Sequence, residues 1–360
     1  GPLFKAGGST SHAPGIHFHT GGSRMMTEFG KETIQLVSSL EYEGEPCFYQ
    51  VGSMEVAATR ERWEDLKRKA GWAKSWGEDA CLLNPAEARA KLPFLDASKI
   101  LGAYYVPSDG VTKAVQACAA MANLAEPHAE FYERTPVTGI EVERGRVRGV
   151  ITSSGRIATD RVLICAGIWG PKVGKLAGIS IPLIPVEHQL AWTTPLPELA
   201  GETRWAFLPV LRHQDRDMYF RQRCDHFAIG SYQHDPVLVE AEAIRPHGQP
   251  DDMPASNPFD PVAFEPAWQE ALSLMPALRQ TRIAEAYSGM FSFTPDGFPL
   301  IGEAADVRGC WVAEAIWIMH AGGAARAVAE LLTSGKAWVE LREAELNRFE
   351  PHVHSPAYVR

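Results

Sequence analysis

The run RVLICA at residues 161–166 constrains the fold more than any other segment of this chain. It is a continuous apolar run closed by Gly167, which is typical of a strand buried on both faces of a parallel sheet. Before it, residues 137–150 alternate apolar and polar side chains around Arg144-Gly145, and residues 151–157 extend that pattern. Such alternation predicts a β-hairpin that continues as a meander. A buried parallel strand after a meander indicates an α/β domain.

Weaker patterns place the other elements. Apolar residues at helical spacing predict helices near residues 25–40, 62–74, 268–274 and 321–332. Short β-like runs predict strands at residues 47–58, 185–193, 218–221, 227–232, 283–293 and 310–315. Residues 7–23 are rich in Gly, Ser and His, and residues 245–261 are rich in Pro and Asp, so both segments are predicted to be loops.

Composition excludes several functional classes. The 360 residues include 35 basic and 44 acidic side chains, and the resulting net charge of −9 argues against nucleic acid as a partner. The apolar stretches are far shorter than the ~20 residues that span a bilayer, so no membrane partner is expected. Six scattered cysteines without a C-x-x-C pair, and an N-terminus without a targeting pattern, predict reduced thiols in a cytoplasmic protein.

Two segments carry candidate chemistry. His12, His17 and His19 lie close together, but the spacing H-x-x-x-x-H-x-H fits no common zinc pattern, and no metal is predicted. A solvated histidine loop and an imidazole that faces a cofactor both remain open. Glycines follow the strand at 310–315, just before the last helix, where backbone N–H groups can converge on an anion or a polarised carbonyl. A plain glycine-rich turn explains that segment equally well.

Seven segments, in order along nearly the whole chain, carry a specific resemblance. The sequence resembles the flavin domain of the dimethylglycine oxidase, dimethylglycine dehydrogenase and sarcosine dehydrogenase family, within the D-amino-acid-oxidase-like (DAO) FAD oxidoreductases, and bacterial dimethylglycine oxidases are the most alike. The segments are GGSTSHAPG (7–15), ILGAYYVPSDG (100–110), VTGIEVERGRVRGV (137–150), CAGIWGPKVGKLAGI (165–179), PLIPVEHQ (182–189), LPVLRHQDRDMYFR (208–221) and FSFTPDGFPLIGE (291–303).

The resemblance implies FAD as the cofactor. His12 matches the histidine that the family joins covalently to the flavin, and an imidazole suits that task because its neutral form is a nucleophile near pH 7. Val137 matches a position beside the adenosine part of FAD, and the turn at 318–321 matches the segment beside the isoalloxazine ring. The implied cofactor-binding residues are Gly8, Ser9, Thr10, Ser11, His12, Ile16, Val137, Ile318, Met319, His320 and Ala321.

The resemblance also implies a reaction. His188 and Tyr219 match the family's catalytic pair near the substrate and the flavin, and Arg221, on the same strand as Tyr219, is a candidate partner for the substrate carboxylate. The expected reaction is oxidative N-demethylation of a small N-methylated amino acid, dimethylglycine first and sarcosine second. The electron acceptor would be O2 or an electron-transfer flavoprotein, and tetrahydrofolate is a further partner in a longer parent protein.

The family's opening βαβ unit with G-x-G-x-x-G does not match any segment of this chain, and residues 1–3 match the positions just after it. We therefore expect an α/β (α+β) fold in which a DAO-like FAD-binding domain lacks that unit. The expected division is 1–180 and 291–345 for the FAD-binding domain, 181–290 for an interleaved, sheet-rich substrate domain joined by residues 40–110, and 346–360 for a tail. The alternative is an inactive fragment that serves as an interaction module.

Overall fold

The computed structural model describes residues 7–246 and 253–359. Part of the predicted loop at 245–261 lies outside the described residues, and residues 1–3 lie outside them entirely. The α-helices are α1 Arg24–Ser38, α2 Arg60–Ser75, α3 Pro85–Lys91, α4 Ala114–Ala125, α5 Gly170–Leu176, α6 Pro261–Leu274, α7 Ala321–Ser334 and α8 Pro356–Val359. None of the described helices is both long enough and apolar enough to cross a membrane.

The strands between these helices are mostly short. They are β1 Glu41–Tyr42, β2 Glu45–Pro46, β3 Phe48–Tyr49, β4 Ser53–Ala57, β5 Cys81–Leu83, β6 Gly102–Val106, β7 Val111–Thr112, β8 Val137–Glu143, β9 Arg146–Thr152, β10 Gly155–Ala158, β11 Val162–Ile164, β12 Ile184–Thr193, β13 Val210–His213, β14 Met218–Arg223, β15 His226–Ser231, β16 Val237–Leu238, β17 Ser256–Asn257, β18 Ile283–Phe293, β19 Leu300–Glu303 and β20 Cys310–Glu314.

The predicted hairpin and meander are confirmed. Strands β8, β9 and β10 form an antiparallel three-stranded sheet. Arg144 and Gly145 occupy the turn with φ of 50° and 71°. Two successive positive φ values are those of a type I′ turn, whose twist matches that of the flanking strands. The local dipeptide was therefore sufficient to locate this turn.

The predicted strand at residues 47–58 is wrong in one respect, because it is two strands in different sheets. β3 pairs with β7, whereas β4 belongs to the large sheet, and the chain changes direction at Gly52, whose φ is +79°. A Cβ atom at Gly52 would also lie 2.5 Å from the Tyr105 hydroxyl. Only glycine adopts this conformation in so little space.

A ten-stranded sheet forms the larger part of the molecule. Its order is β17-β18-β12-β15-β14-β13-β4-β6-β5, and β16 adds to β12. Most pairs are antiparallel, but β13 runs parallel to β4, so residues 53–106 extend a sheet built mainly from residues 184–293. One face packs on α3 and α6 through a core that includes Leu92, Phe220 and Phe264. The opposite face is free to line a cavity.

The helix expected at 268–274 is α6, which begins earlier. The Asp260 carboxylate accepts hydrogen bonds from the N–H groups of Val262 and Ala263, and Pro261 stands at the first helical position. An acidic cap followed by proline is a strong start signal. The helix continues through a second proline, Pro266. Because Pro266 lies in the early turns of the helix, few backbone hydrogen bonds are lost there.

A smaller sheet has the order β11-β20-β19, and β11 runs parallel to β20 as RVLICA predicted. The expectation that β11 is buried on both faces is wrong at Leu163, which is 38% exposed. Helices α1 and α7 pack together beside this sheet. A Cβ atom at Gly323 would lie 2.4 Å from the Phe29 Cα, so glycine there permits close helix packing. Mixed sheets covered by helices confirm the α/β fold class.

Candidate functional site

A cavity of about 1660 Å³ lies between the large sheet, the loop that follows residue 7, the ends of β11 and β20, and α7. The volume exceeds the range of about 300 to 1,000 Å³ that is usual for a small-molecule cleft. Most of the residues predicted from the sequence line it: Gly8, Ser9, Thr10, His12, Ile16, His188, Tyr219, Ile318, Met319 and Ala321. Ser11, Val137 and His320 are not among the lining residues.

These three exceptions differ in their surroundings. The Ser11 hydroxyl donates to the Gly8 carbonyl at 2.6 Å and so closes its own turn. Val137 begins β8 and is 41% exposed, on the small sheet. His320 is buried, and burial lowers its pKa to about 3. The role that the sequence assigned to each of them stays a prediction.

His12 is held against β18 from two sides. The Tyr287 hydroxyl donates to the His12 carbonyl at 2.6 Å, and the Ser9 hydroxyl donates to the Met290 carbonyl at 2.6 Å. The Tyr287 ring also meets the imidazole edge-on, with ring centroids 5.8 Å apart. Residues 9–12 form a 3₁₀ turn, so the loop predicted from composition is ordered where it enters the cavity.

The His12 imidazole has no hydrogen-bond partner. It is 7% exposed, and neither Nδ1 nor Nε2 makes a hydrogen bond of normal geometry in the described parts of the chain, although the backbone carbonyls of Met290 and Ala255 lie near enough to oppose the effect of burial on its pKa. Burial lowers its pKa to about 4, so the ring is neutral at pH 7. Buried polar atoms are normally paired, and a neutral, unpaired imidazole at a cavity wall can therefore react with or bind a ligand.

His188 and Tyr219 form a hydrogen-bonded pair. His188 Nδ1 lies 3.2 Å from the Gly289 carbonyl, and His188 Nε2 lies 3.1 Å from the Tyr219 hydroxyl. Because a carbonyl only accepts, Nδ1 carries the proton, and Nε2 accepts from the Tyr219 hydroxyl. Burial lowers the pKa of His188 to about 3 and raises that of Tyr219 far above its usual range. Both groups are therefore neutral at physiological pH.

A glycine makes room for the Tyr219 ring. Tyr219 pairs in register with Gly230 on β15, and a Cβ atom at Gly230 would lie 1.9 Å from Tyr219 Cζ. The tyrosine ring therefore lies flat across its neighbouring strand, in the space that a side chain would fill. This direction carries the hydroxyl toward His188.

Aromatic rings complete the wall around this pair. Tyr232 stacks on His188 with centroids 5.1 Å apart, and Phe291 meets His188 edge-on at 4.8 Å. Phe291 in turn contacts Phe293 and Trp317, with centroid distances of 4.5 and 5.8 Å. Burial against such an apolar surface penalises a charged group that has no partner.

Arg221, the cation proposed from the sequence, does not line the cavity. The strand is regular, so Tyr219 and Arg221 share a face as alternation requires. The Arg221 guanidinium, however, donates to the Pro14 carbonyl and packs on the rings of Trp192 and Trp205. Burial lowers its pKa to about 9. Its task in this structure is to anchor the loop that carries His12.

Among the described residues, Arg212 is the arginine that lines the cavity. It lies directly opposite Tyr219 in the β13–β14 pairing, and its guanidinium is 5.3 Å from the centre of the Phe18 ring. Glu55 lies beside it on β4, where Lys69 and Arg212 together outweigh burial and lower the pKa of the Glu55 carboxyl, but the ion-pair partner of Glu55 within 4.0 Å among the described residues is Lys69. The sequence contained the signal, because a hairpin around residues 214–217 places residue 212 across from residue 219.

His17 and His19 belong to a separate buried network. His19 Nδ1 lies 2.7 Å from the Asp109 carboxylate, and His19 Nε2 lies 2.9 Å from Glu78. These two carboxylates outweigh burial and raise the pKa of His19 to about 9. His17 Nε2 lies 2.7 Å from the Thr112 hydroxyl, and burial lowers its pKa to about 4. Neither imidazole lines the cavity, and no described cluster of His, Cys, Asp or Glu could hold a metal ion.

The glycines predicted to form a turn before the last helix lie instead in the first turn of α7. The N–H groups of Gly322 and Gly323 both donate to the Thr33 hydroxyl, at 3.0 and 3.2 Å, so they do not face an anion. These glycines serve the packing of α7 on α1. The residues before them, Ile318, Met319 and Ala321, do line the cavity.

Glu314 is a site residue that the sequence did not indicate. It ends β20, lines the cavity, and is 1% exposed. Its carboxyl group accepts a hydrogen bond from the Ala166 N–H at 2.5 Å, at the end of β11. Burial raises its pKa to about 8, so the group is mostly protonated at pH 7. A lone acidic residue at the carboxyl end of a buried strand was the available signal.

Known proteins resemble this chain in sequence and in fold. Human sarcosine dehydrogenase is 29% identical over 95% of this chain, and rat dimethylglycine dehydrogenase is 29% identical over 95%. The chain spans 37% and 40% of the lengths of these two mitochondrial proteins. Among solved structures, L-proline dehydrogenase from P. horikoshii superposes with a TM-score of 0.81 at 23% identity, over 96% of this chain and 88% of its own.

A family model also matches most of the chain. The model described as FAD dependent oxidoreductase matches residues 4–331, a range that contains the strands and loops that form the cavity. The match, the shared fold and the relatives all agree with the resemblance seen in the sequence. The chain belongs to the DAO family of FAD dependent oxidoreductases.

Proposed function

We propose that this chain catalyses FAD-dependent oxidative N-demethylation of a small N-methylated amino acid, dimethylglycine or sarcosine. One observation carries the proposal: His12 and the His188–Tyr219 pair both contact Gly289 of β18 and line the same cavity. The His12 imidazole makes no hydrogen bond there. The named sarcosine and dimethylglycine dehydrogenases support the substrate class.

The cavity residues fit a flavin. Both ring nitrogens of His12 are buried without partners, and a group bound in the cavity would supply the missing contact. His12 would hold FAD through a covalent bond to the 8α-methyl carbon of the flavin, since its low pKa keeps the imidazole neutral. A ring nitrogen would replace one hydrogen of that methyl group, and the flavin itself would take up the two electrons released. Ile16, Ile318, Met319 and Ala321 would line the bound cofactor. When bound, FAD supplies the two-electron oxidant for the N-methyl group.

The remaining residues bind and orient the substrate. The apolar wall disfavours a charged ammonium, so the amine binds without its proton, and the neutral His188–Tyr219 pair offers it hydrogen bonding. Arg212 would hold the carboxylate, since it is the cation that lines this part of the cavity opposite Tyr219. With the amine and the carboxylate held in this way, the N-methyl group would be the part of the substrate left to face the cofactor.

The products follow from the chemistry of the substrate. Loss of a hydride from the methyl carbon leaves a substrate iminium, and water then releases formaldehyde and the demethylated amine. Tetrahydrofolate captures the same carbon if the whole protein provides a site for it. The electrons leave to O2 in an oxidase or to an electron-transfer flavoprotein in a dehydrogenase, and we carry both forward as alternatives.

A substrate panel tests the proposal on the natural protein that contains this chain. Purified protein is mixed without oxygen with dimethylglycine, sarcosine or glycine, and the loss of the flavin's visible absorbance is followed. We expect reduction by the two N-methylated compounds and none by glycine. A protein that binds flavin but is reduced by neither compound, or that purifies without flavin, would overturn the proposal in favour of an interaction module.

A further inference from the structure

We propose that Gly289 is a positioning residue for covalent flavin attachment. Its missing side chain forms the seat of the His12 imidazole, and its carbonyl separately fixes the tautomer of His188. This inference rests on the proposed covalent link at His12. One backbone position of β18 would then serve both the attachment residue and the substrate pair.

The His12 imidazole fills the space that a side chain at residue 289 would occupy. A Cβ atom at Gly289 would lie 2.6 Å from both Nδ1 and Cε1 of His12, closer than real Cβ atoms approach other heavy atoms. The φ of Gly289 is not in the positive range, so the backbone itself accepts any residue there. Only the imidazole excludes a side chain from this position.

The imidazole has little freedom to move away. The His12 carbonyl is held by the Tyr287 hydroxyl, and Ser9 ties the start of the same turn to the Met290 carbonyl. Tyr287 and Met290 flank Gly289 on β18, so the strand holds the turn on both sides of the seat. A larger residue at 289 would therefore rotate or displace the ring rather than shift the whole loop.

The contact with Gly289 does not engage either imidazole nitrogen in a hydrogen bond. A histidine buried for stability would be expected to bond through at least one nitrogen, as His19 does with Asp109 and Glu78. At His12 the ring lies against a glycine, and neither nitrogen makes a hydrogen bond of normal geometry although the carbonyls of Met290 and Ala255 are near, so packing sets most of its orientation. Packing of this kind orients a nucleophile without engaging the nitrogen that must react.

The second contact of Gly289 does not depend on its side chain. His188 pairs in register with Gly289, and the Gly289 carbonyl accepts a hydrogen bond from the His188 Nδ1–H group, with 3.2 Å between nitrogen and oxygen. Alanine keeps this carbonyl. A Gly289→Ala substitution therefore separates the two roles, since it disturbs His12 and preserves the acceptor for His188.

The first experiment measures covalent flavin in the natural protein. We expect Gly289→Ala to lower the fraction of flavin retained after acid precipitation by at least ~10-fold, because a misplacement of about 1 Å is costly for a bond-forming group. Gly174→Ala is the matched control: its Cβ would lie 2.9 Å from Ile181, and Gly174 does not line the cavity. We expect this control to keep its covalent flavin. Full retention in Gly289→Ala would overturn the proposal.

A second experiment needs no flavin. The melting temperatures of the wild type, Gly289→Ala, His12→Ala and the double variant, all expressed in riboflavin-depleted cells so that none carries flavin, form a double-mutant cycle. We expect Gly289→Ala to lower the melting temperature when His12 is present and to have little effect when residue 12 is alanine. Equal losses in both backgrounds would show that the imidazole does not occupy the seat and would overturn the proposal.

The two experiments also separate this inference from the proposed function. If the wild type releases all of its flavin on denaturation, the covalent link is wrong, and Gly289 has no attachment to position. Coupling between positions 12 and 289 in the cycle would then support the contact alone. If the wild type retains flavin and Gly289→Ala retains it equally, the link stands and the role of Gly289 is wrong.

Discussion

His188 Nε2 lies 3.1 Å from the Tyr219 hydroxyl, between strands β12 and β14, which are separated in the sheet by β15. The intervening strand carries Gly230 opposite Tyr219, and this glycine lets the tyrosine ring lie across it. The Gly289 carbonyl completes the arrangement by fixing the His188 proton on Nδ1. The neutral pair depends on two glycines as much as on the two side chains.

Removing this pair should slow the reaction. We expect His188→Ala in the natural protein to lower the rate of flavin reduction by dimethylglycine at least ~10²-fold if the imidazole handles protons. Tyr219→Phe should have a smaller effect, because it leaves His188 Nε2 unpaired at a cost of about 1–3 kcal/mol. Rapid mixing without oxygen measures both rates. His226→Ala, on β15 and outside the cavity, is the control, and unchanged kinetics in His188→Ala would make His188 a core residue.

The flavin link can be assigned by colour. The natural protein should stay yellow after acid or detergent denaturation, and His12→Ala should lose that colour, because His12 is the unpaired imidazole that lines the cavity. Absorbance of the washed precipitate measures the retained flavin. Colour that persists in His12→Ala would move the assignment to His17 or His19, which the structure places in buried hydrogen bonds.

Arg212 should control affinity for the carboxylate. We expect Arg212→Met to raise the KM for dimethylglycine roughly 10- to 100-fold, since a hydrogen bond to a charged group contributes about 1.5–3 kcal/mol. N,N-dimethylethylamine lacks the carboxylate, and its KM should not change. Arg223→Met is the matched control, because Arg223 packs on Trp192 and does not line the cavity. A normal KM in Arg212→Met would exclude this role.

Glu314 should make stability depend on pH. Its pKa rises from 4.5 to about 8 on folding, so the folded chain holds a proton that the unfolded chain has released between those values. Stability is therefore lost as pH rises from 4.5 to about 8. Glu314→Gln keeps the oxygen that accepts from Ala166 and cannot ionise. We expect it to raise the melting temperature at pH 9 and to change it little at pH 4.5, and an equal shift at both would contradict the assignment.

Local patterns were enough for many elements because their causes are local. The hairpin turn at Arg144-Gly145, the position of helix α1 and the full length of β18 follow from turn residues and from periodicity within a few positions. The break at Gly52 was not found, because a strand pattern on both sides of a glycine does not reveal that the two halves join different sheets.

The residue types of the site could likewise be recognised in order along the chain, since motifs around His12, His188 and Tyr219 are short and distinctive. Their surroundings could not. Arg212 faces the cavity while Arg221 is covered by Pro14, and His12 rests on Gly289, from the other end of the chain. Such contacts arise from the order in which strands pair and from the space left between them. The sequence shows that residues 230 and 289 have no side chain. Only the packed sheet shows that the Tyr219 ring fills the space at Gly230 and that the His12 ring fills the space at Gly289.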